Sequence, residues 1–170
     1  MTLGTSERLA GLAHKVEVTM DGVRLEDSQE KSEFLLGCEL QHNLKWSSQV
    51  EMLLKKLRSR LVALATIRYI VPFHICDTIT IGIFNSVLVY CLPLFGGCNV
   101  SEIKSLQVLQ NRAAQLVTNS PPRSNRVSMY NKLKWHTVNQ LVRYHTLIAV
   151  YKIRQSGEPE YLAYFFQTPG

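Results

Sequence analysis

Four cations, Lys55, Lys56, Arg58 and Arg60, lie within a single leucine-periodic stretch of this 170-residue chain. Flexible cations of that kind suit contact with phosphate, which needs little sequence information and is strongly salt-dependent. The opposite chemistry, two-metal phosphoryl transfer, needs carboxylates that clamp ions roughly 3.5–4 Å apart. The chain has only three aspartates, Asp21, Asp27 and Asp77, and Glu26-Asp27 is its one adjacent acidic pair, beside a turn. No G-x-S-x-G, H-E-x-x-H, Walker loop or G-x-G-x-x-G occurs. His74 and Cys76 are close in sequence, but a loop spacing of two is a weak nucleophile signature. The expectation is therefore binding without chemistry: no catalytic residue, no metal site and no cofactor.

The charge is unevenly spread. Residues 1–43 carry four Lys/Arg against eight Asp/Glu, and residues 44–170 carry fifteen against five, within a net charge of +6. A basic body of that kind predicts contact with a polyanion. Cys38, Cys76, Cys91 and Cys98 form no C-x-x-C pair, so zinc ligation is not expected and a reducing, intracellular compartment (cytoplasmic or nuclear) is. The start MTLGTSERLAGLAHK has no continuous apolar core of a secretory signal. The uncharged stretch TITIGIFNSVLVYCLPLF is interrupted by Asn85, Ser86 and Pro93, which favours a buried bundle helix over a membrane span.

These residues need a scaffold, and the hydrophobic pattern predicts a mainly α one: an antiparallel helical bundle preceded by a short β-hairpin or strand lead-in. With 46% hydrophobic residues the chain can fill a core. Three regions are expected, a strand-containing lead-in at 1–43, the helical bundle at 44–157 and a C-terminal tail at 158–170. In the lead-in, VEVTM and VRLED flank Asp21-Gly22, a hairpin dipeptide, and EFLLGCEL reads as one further short strand, with Gly37 permitting close backbone approach or a bulge. From Ser48, capped with Glu51, Val50, Leu53, Leu54, Leu57, Leu61 and Leu64 share one helical face up to Pro72. A second helix is predicted from Asp77 to Cys91. A third is capped by Asn99 with Glu102, with Lys104, Asn111, Arg112 and Gln115 on its polar side. A short helix near 127–134 and a long one from Thr137 to Gly157 follow.

Arg112, the loop cations Arg123 and Arg126, and Lys132 and Lys134 add to the basic set. Trp46 and Trp135, each preceded by Leu-Lys, are expected to pin helices rather than to stack on bases. No recognition helix is identifiable.

Several blocks, in order, resemble the reverse transcriptases of non-LTR (LINE-type, jockey-like) retrotransposons. FLLGCELQHNLKWSSQVE is similar to the stretch that follows the catalytic palm there, and KKLRSRLVALATIRYIVPF to the next helix. TITIGIFNSVLVYCLPLFGG, IKSLQVLQNRAAQLVTNSPPRS and YNKLKWHTVNQLVRYHTLIAVYKIRQSGEPEYL are similar to three later elements, and the likeness covers about residues 17–163. Cys38 stands where Val is usual, Glu39 and Gln41-His42 blur an Ile-Asp element, and Phe95-Gly96 replaces Trp-Gly. The family's catalytic Tyr-x-Asp-Asp has no counterpart in this sequence. The resemblance implies the end of a palm followed by a thumb, with Leu36 and Gly37 in a primer-proximal hairpin. It also implies that Lys55, Lys56, Arg58 and Arg60 face the template–primer. The expected partner is the backbone of an RNA–DNA or DNA duplex, possible too is the missing polymerase palm, and no membrane is expected. A helical protein-interaction module with no nucleic-acid role is the alternative.

Overall fold

The computed structural model describes residues 18–20, 23–25, 32–41 and 43–166. Two compact units are present, Met1–Met52 and Leu53–Gly170.

In the first unit, β1 (Val18–Met20) pairs antiparallel with β2 (Val23–Leu25), Met20 opposite Val23. The Asp21-Gly22 turn expected between them lies outside the described residues. β3 (Ser32–Leu35) pairs with β4 (Cys38–Gln41), Leu35 opposite Cys38, as a second hairpin. The single short strand expected at EFLLGCEL is therefore two strands. Leu36 and Gly37 both take positive φ, 49° and 79°, and a two-residue hairpin loop of type I′ requires that at both central positions. Gly37 adopts it without steric cost, whereas Leu36 adopts it at some cost and exposes its side chain.

The hairpin is tied to the first turn of α1 (Ser47–Ile67), where the buried Gln49 side chain accepts from the Glu39 amide at 2.8 Å. The amide of Val50 donates to the carbonyl of Trp46 at 2.9 Å, so Trp46 occupies the cap position. The expected capping box from Ser48 to Glu51 is thereby displaced: Ser48 is already inside the first turn, where its hydroxyl cannot cap.

In the second unit, Leu53, Leu57, Leu61 and Leu64 are buried along α1, as the leucine period demands. Pro72 then serves as the cap of the next helix, α2 (Phe73–Thr80). The expected start at Asp77 is thus four residues late, because a proline that cannot continue one helix is well suited to begin another. The chain continues through a π-helical turn, Ile81–Asn85, into α3 (Ser86–Val89). Thr78, Thr80 and Ser86 each donate a hydroxyl proton to the carbonyl four residues earlier, an arrangement that loosens and bends helices. Cys91, at φ 54°, turns the chain into α4 (Leu92–Phe95).

α5 (Val100–Thr118) begins with the expected reciprocal cap: the Asn99 amide donates to Glu102 at 2.9 Å, and the Asn99 side chain accepts from the Glu102 amide. α6 (Arg126–Leu133) is capped by Asn125, which accepts from the Val127 amide at 2.9 Å. α7 (Val138–Ser156) is capped by Thr137 with Gln140. These three helices end on left-handed residues, Asn119, Lys134 and Gly157. α8 (Glu160–Phe165) lies within the stretch read as a C-terminal tail, and it buries no side chain.

Phe84, Leu88, Leu92, Phe95, Leu106 and Val138 are fully enclosed. A Cβ at Gly96 would stand 2.6 Å from Val142 Cγ1 and 2.8 Å from the Leu92 carbonyl, so glycine is what lets α4 approach α7. A second cluster packs Cys76, Ala114, Val117, Met129, Tyr130 and Leu133, with Trp135 against it. The Trp135 indole donates to the Asp77 carboxylate at 3.2 Å, pinning the end of α6 to α2. The molecule is mainly α, and no helix among the described residues is long and apolar enough to cross a membrane.

Candidate nucleic-acid interface

α5 turns about 100° per residue, so its successive side chains serve different sides. Arg112, Gln115, Leu116 and Asn119 follow one another at i, i+3, i+4 and i+7 and line an open groove of about 680 Å³. The facing wall comes from α1, where Arg58, Leu61, Val62 and Ala65 follow the same spacing and Arg68 extends it, while Pro121 and Pro122 close one end. The groove therefore has an aliphatic floor and a cationic rim.

Arg68 is a site residue that the sequence reading missed. Its guanidinium donates to Asn119 Oδ1 and rests 4.5 Å from the Tyr69 ring centroid, which fixes its direction at the cost of part of its hydrogen-bonding capacity. The spacing of ten residues from Arg58 was the available signal.

Of the expected cations, Arg58 and Arg112 come together across this groove. Lys55 is three residues before Arg58 and on the same flank of α1 by helix geometry; Lys56 and Arg60 project from the opposite flank. All four are exposed. Arg123 follows the two prolines and is also exposed. Lys132 places its ammonium 4.8 Å from the Phe73 ring centroid, a cation–π contact that commits it elsewhere.

Arg126 and Lys134 meet at a second concavity, of about 910 Å³. Its floor is a polar network. Gln107 Nε2 donates to Tyr130 Oη at 2.6 Å, and its Oε1 accepts from the Val138 amide at 2.8 Å. Tyr130 Oη donates to Asn111 Oδ1 at 2.9 Å, and Gln110 Nε2 donates to the His136 carbonyl at 2.9 Å. Asn111 was expected on the exposed side of its helix; it is buried, and Gln110 is only 1% exposed. Burial pushes the Tyr130 hydroxyl up to about 12, so it stays protonated and able to donate.

Leu36 and Gly37 occupy the tip of the β3–β4 hairpin in the first unit. His74 is exposed and Cys76 is buried, and burial raises the Cys76 thiol, which opposes thiolate formation. Cys98 is likewise raised by burial, to about 11. Among the described residues, no three His, Cys, Asp or Glu side chains are grouped in a way that would hold a metal ion.

Comparison with known family models, curated proteins and solved structures gives no match to this chain.

Proposed function

We propose that this chain grips the backbone of a nucleic-acid duplex, as the end-of-palm and thumb portion of a non-LTR retrotransposon reverse transcriptase, and that it does no chemistry itself. The observation that carries this reading is the convergence of Arg58, Arg68 and Arg112, from two separate helices, on one groove. The ordered sequence blocks described above support the same origin. Arginine suits the role, since its planar fork meets phosphate oxygens in pairs. The aliphatic part of the lining cannot read bases, and Gln115 and Asn119 are engaged by the Pro122 carbonyl and by Arg68, so binding would be tolerant of sequence. Lys55 and Arg123 extend the rim, and Arg126 and Lys134 add a second anionic contact. By the same resemblance, the hairpin tip at Leu36-Gly37 would lie near a primer terminus.

The test is the affinity for an RNA–DNA hybrid across a salt series. Log affinity should fall linearly with log salt, and each phosphate contact removed should reduce the slope by about 1. Arg58→Ala with Arg112→Ala should therefore lower the slope by about 2 and weaken all sequences alike. A flat salt response, or no binding near 50 mM salt, refutes the proposal.

A second reading has its own observation. Tyr144, Leu147 and Tyr151 form an exposed stripe at i, i+3 and i+7 on α7, and Tyr161, Tyr164 and Phe165 are exposed on α8. That surface suits a protein partner. Under this alternative, size-exclusion chromatography gives a defined oligomer or complex, and neutralising Lys55, Lys56, Arg58 and Arg60 leaves it intact.

A further inference from the structure

The second concavity is as open to solvent as the groove but is lined by different chemistry. Its volume, about 910 Å³, is in the range of small-molecule sites, roughly 300–1,000 Å³. A lone phosphate would leave most of it empty. Two cations stand at its edge, Arg126 from the start of α6 and Lys134 from its end, and among the described residues no acidic side chain lines it. Arg126 sits in the first turn of α6, where the helix dipole disfavours a cation; a bound anion would offset that conflict. Lys134 takes φ 54° at a position that glycine or asparagine would fill more cheaply.

The remaining wall is made of amides. Asn131 and Asn139 present donors and acceptors, and Gln140, whose Oε1 is taken up in capping α7, presents its Nε2 donor, which is the pattern of a nucleobase edge rather than of a phosphate alone. His136 also lines the pocket and stacks on Tyr144, ring centroids 6.5 Å apart and planes 22° from parallel, a flat ledge of the type on which unpaired bases rest. The half-buried Gln107, with the buried Tyr130 and Asn111, forms a network beneath that holds these walls in one geometry.

We propose that this pocket receives a single unpaired nucleotide protruding from the gripped duplex, its phosphate held between Arg126 and Lys134 and its base edge by Asn131, Asn139 and Gln140. The inference rests on the nucleic-acid reading above and narrows the part that Arg126 and Lys134 play in it.

The experiment compares the full chain binding a blunt RNA–DNA hybrid with the same hybrid bearing a one-nucleotide overhang on either strand. One overhang should tighten binding at least fivefold. Arg126→Ala with Lys134→Ala, and separately Asn131→Ala with Asn139→Ala, should erase that gain while changing blunt-hybrid affinity less than twofold in the amide pair. Arg58→Ala with Arg112→Ala should weaken both hybrids and preserve their ratio. Adenosine monophosphate should compete with the overhang at concentrations where inorganic phosphate and a phosphoserine peptide do not. Equal affinity for blunt and overhanging hybrids, with blunt binding intact, overturns the pocket and leaves the duplex reading standing. Competition by the phosphopeptide or by phosphate as strong as by the nucleotide also overturns it. Failure of both hybrids to bind refutes the duplex reading itself. Thermal melting of each variant separates lost contacts from lost folding.

Discussion

Asn111 and Arg112 are neighbours in the chain, yet one turns into a buried amide network and the other onto an open cationic rim. The side of α5 that carries Gln107, Gln110 and Asn111 has its polar groups paired with α6 and with the chain leading into α7. The side that carries Arg112, Gln115 and Leu116 meets solvent across a groove whose floor is aliphatic. On the first side polar atoms fix geometry; on the second Gln115 and Asn119 are tied to the Pro122 carbonyl and to Arg68, and the exposed Arg112 is the group offered to a partner. Polar character in a helix thus does two jobs here, and only burial separates them.

The comparison is broken most severely at Gln107. Replacing it by leucine strands the Val138 amide and removes a partner of Tyr130 in a site of low dielectric. Buried groups left unsatisfied cost about 1–3 kcal/mol each, so Gln107→Leu should destabilise by about 2–4 kcal/mol in urea unfolding. Arg112→Ala, on the exposed side, should stay within about 0.5 kcal/mol. Similar losses for the two would mean that the network carries no special weight.

Packing between α4 and α7 comes next in size. Gly96→Ala forces a methyl against Val142 and the Leu92 carbonyl, and overpacking of this sort costs about 1–3 kcal/mol. Because α7 supplies Asn139 and Gln140 to the amide-walled pocket but nothing to the groove, the substitution should impair overhang recognition more than blunt-hybrid binding. Hybrid titrations of the variant decide it; equal impairment would show that the two concavities are mechanically one.

A smaller effect of opposite sign is expected at Lys134. Holding a side chain with a Cβ in the left-handed region costs about 1 kcal/mol relative to glycine. Lys134→Gly should therefore raise stability by about 1 kcal/mol while weakening anion binding at the pocket. A variant that gains stability and keeps full affinity would remove Lys134 from the site.

What the sequence disclosed follows the same division. Apolar periodicity located α1 and α5, the cap at Asn99 with Glu102 fixed the start of α5, and the bounds Thr137 and Gly157 placed α7, since each signal is local to a few residues. The amide network was invisible because Gln107, Gln110 and Asn111 look like surface residues until a tyrosine twenty positions away closes over them. Their spacing of i, i+3 and i+4 was the only hint. The start of α2 was misplaced because Pro72 can stop one helix or begin another, and nothing local decides which. Leucine spacing placed Arg58 on a flank of α1, but that Arg112 faces it depends on how α5 is rotated, which is set by packing remote in sequence.

The smallest effect concerns Asp77, the acid that accepts the Trp135 indole proton. Burial raises its carboxyl above the ordinary 3.8, and the hydrogen bond from Trp135 only partly opposes that. The folded protein therefore binds this proton more tightly than the unfolded chain does. Its contribution to stability is fully present below pH 3.8 and is lost as pH rises through the higher folded value. Asp77→Asn keeps an oxygen for the indole and removes the titration. The stability of the parent protein relative to this variant should thus decline from pH 3.5 to pH 7 and then level off, while acid effects common to both cancel. Urea unfolding of the pair at several pH values gives the difference directly. A difference that grows with pH would mean that the indole hydrogen bond outweighs burial, and that Asp77 is held as a stabilised anion at the junction of α2 and α6.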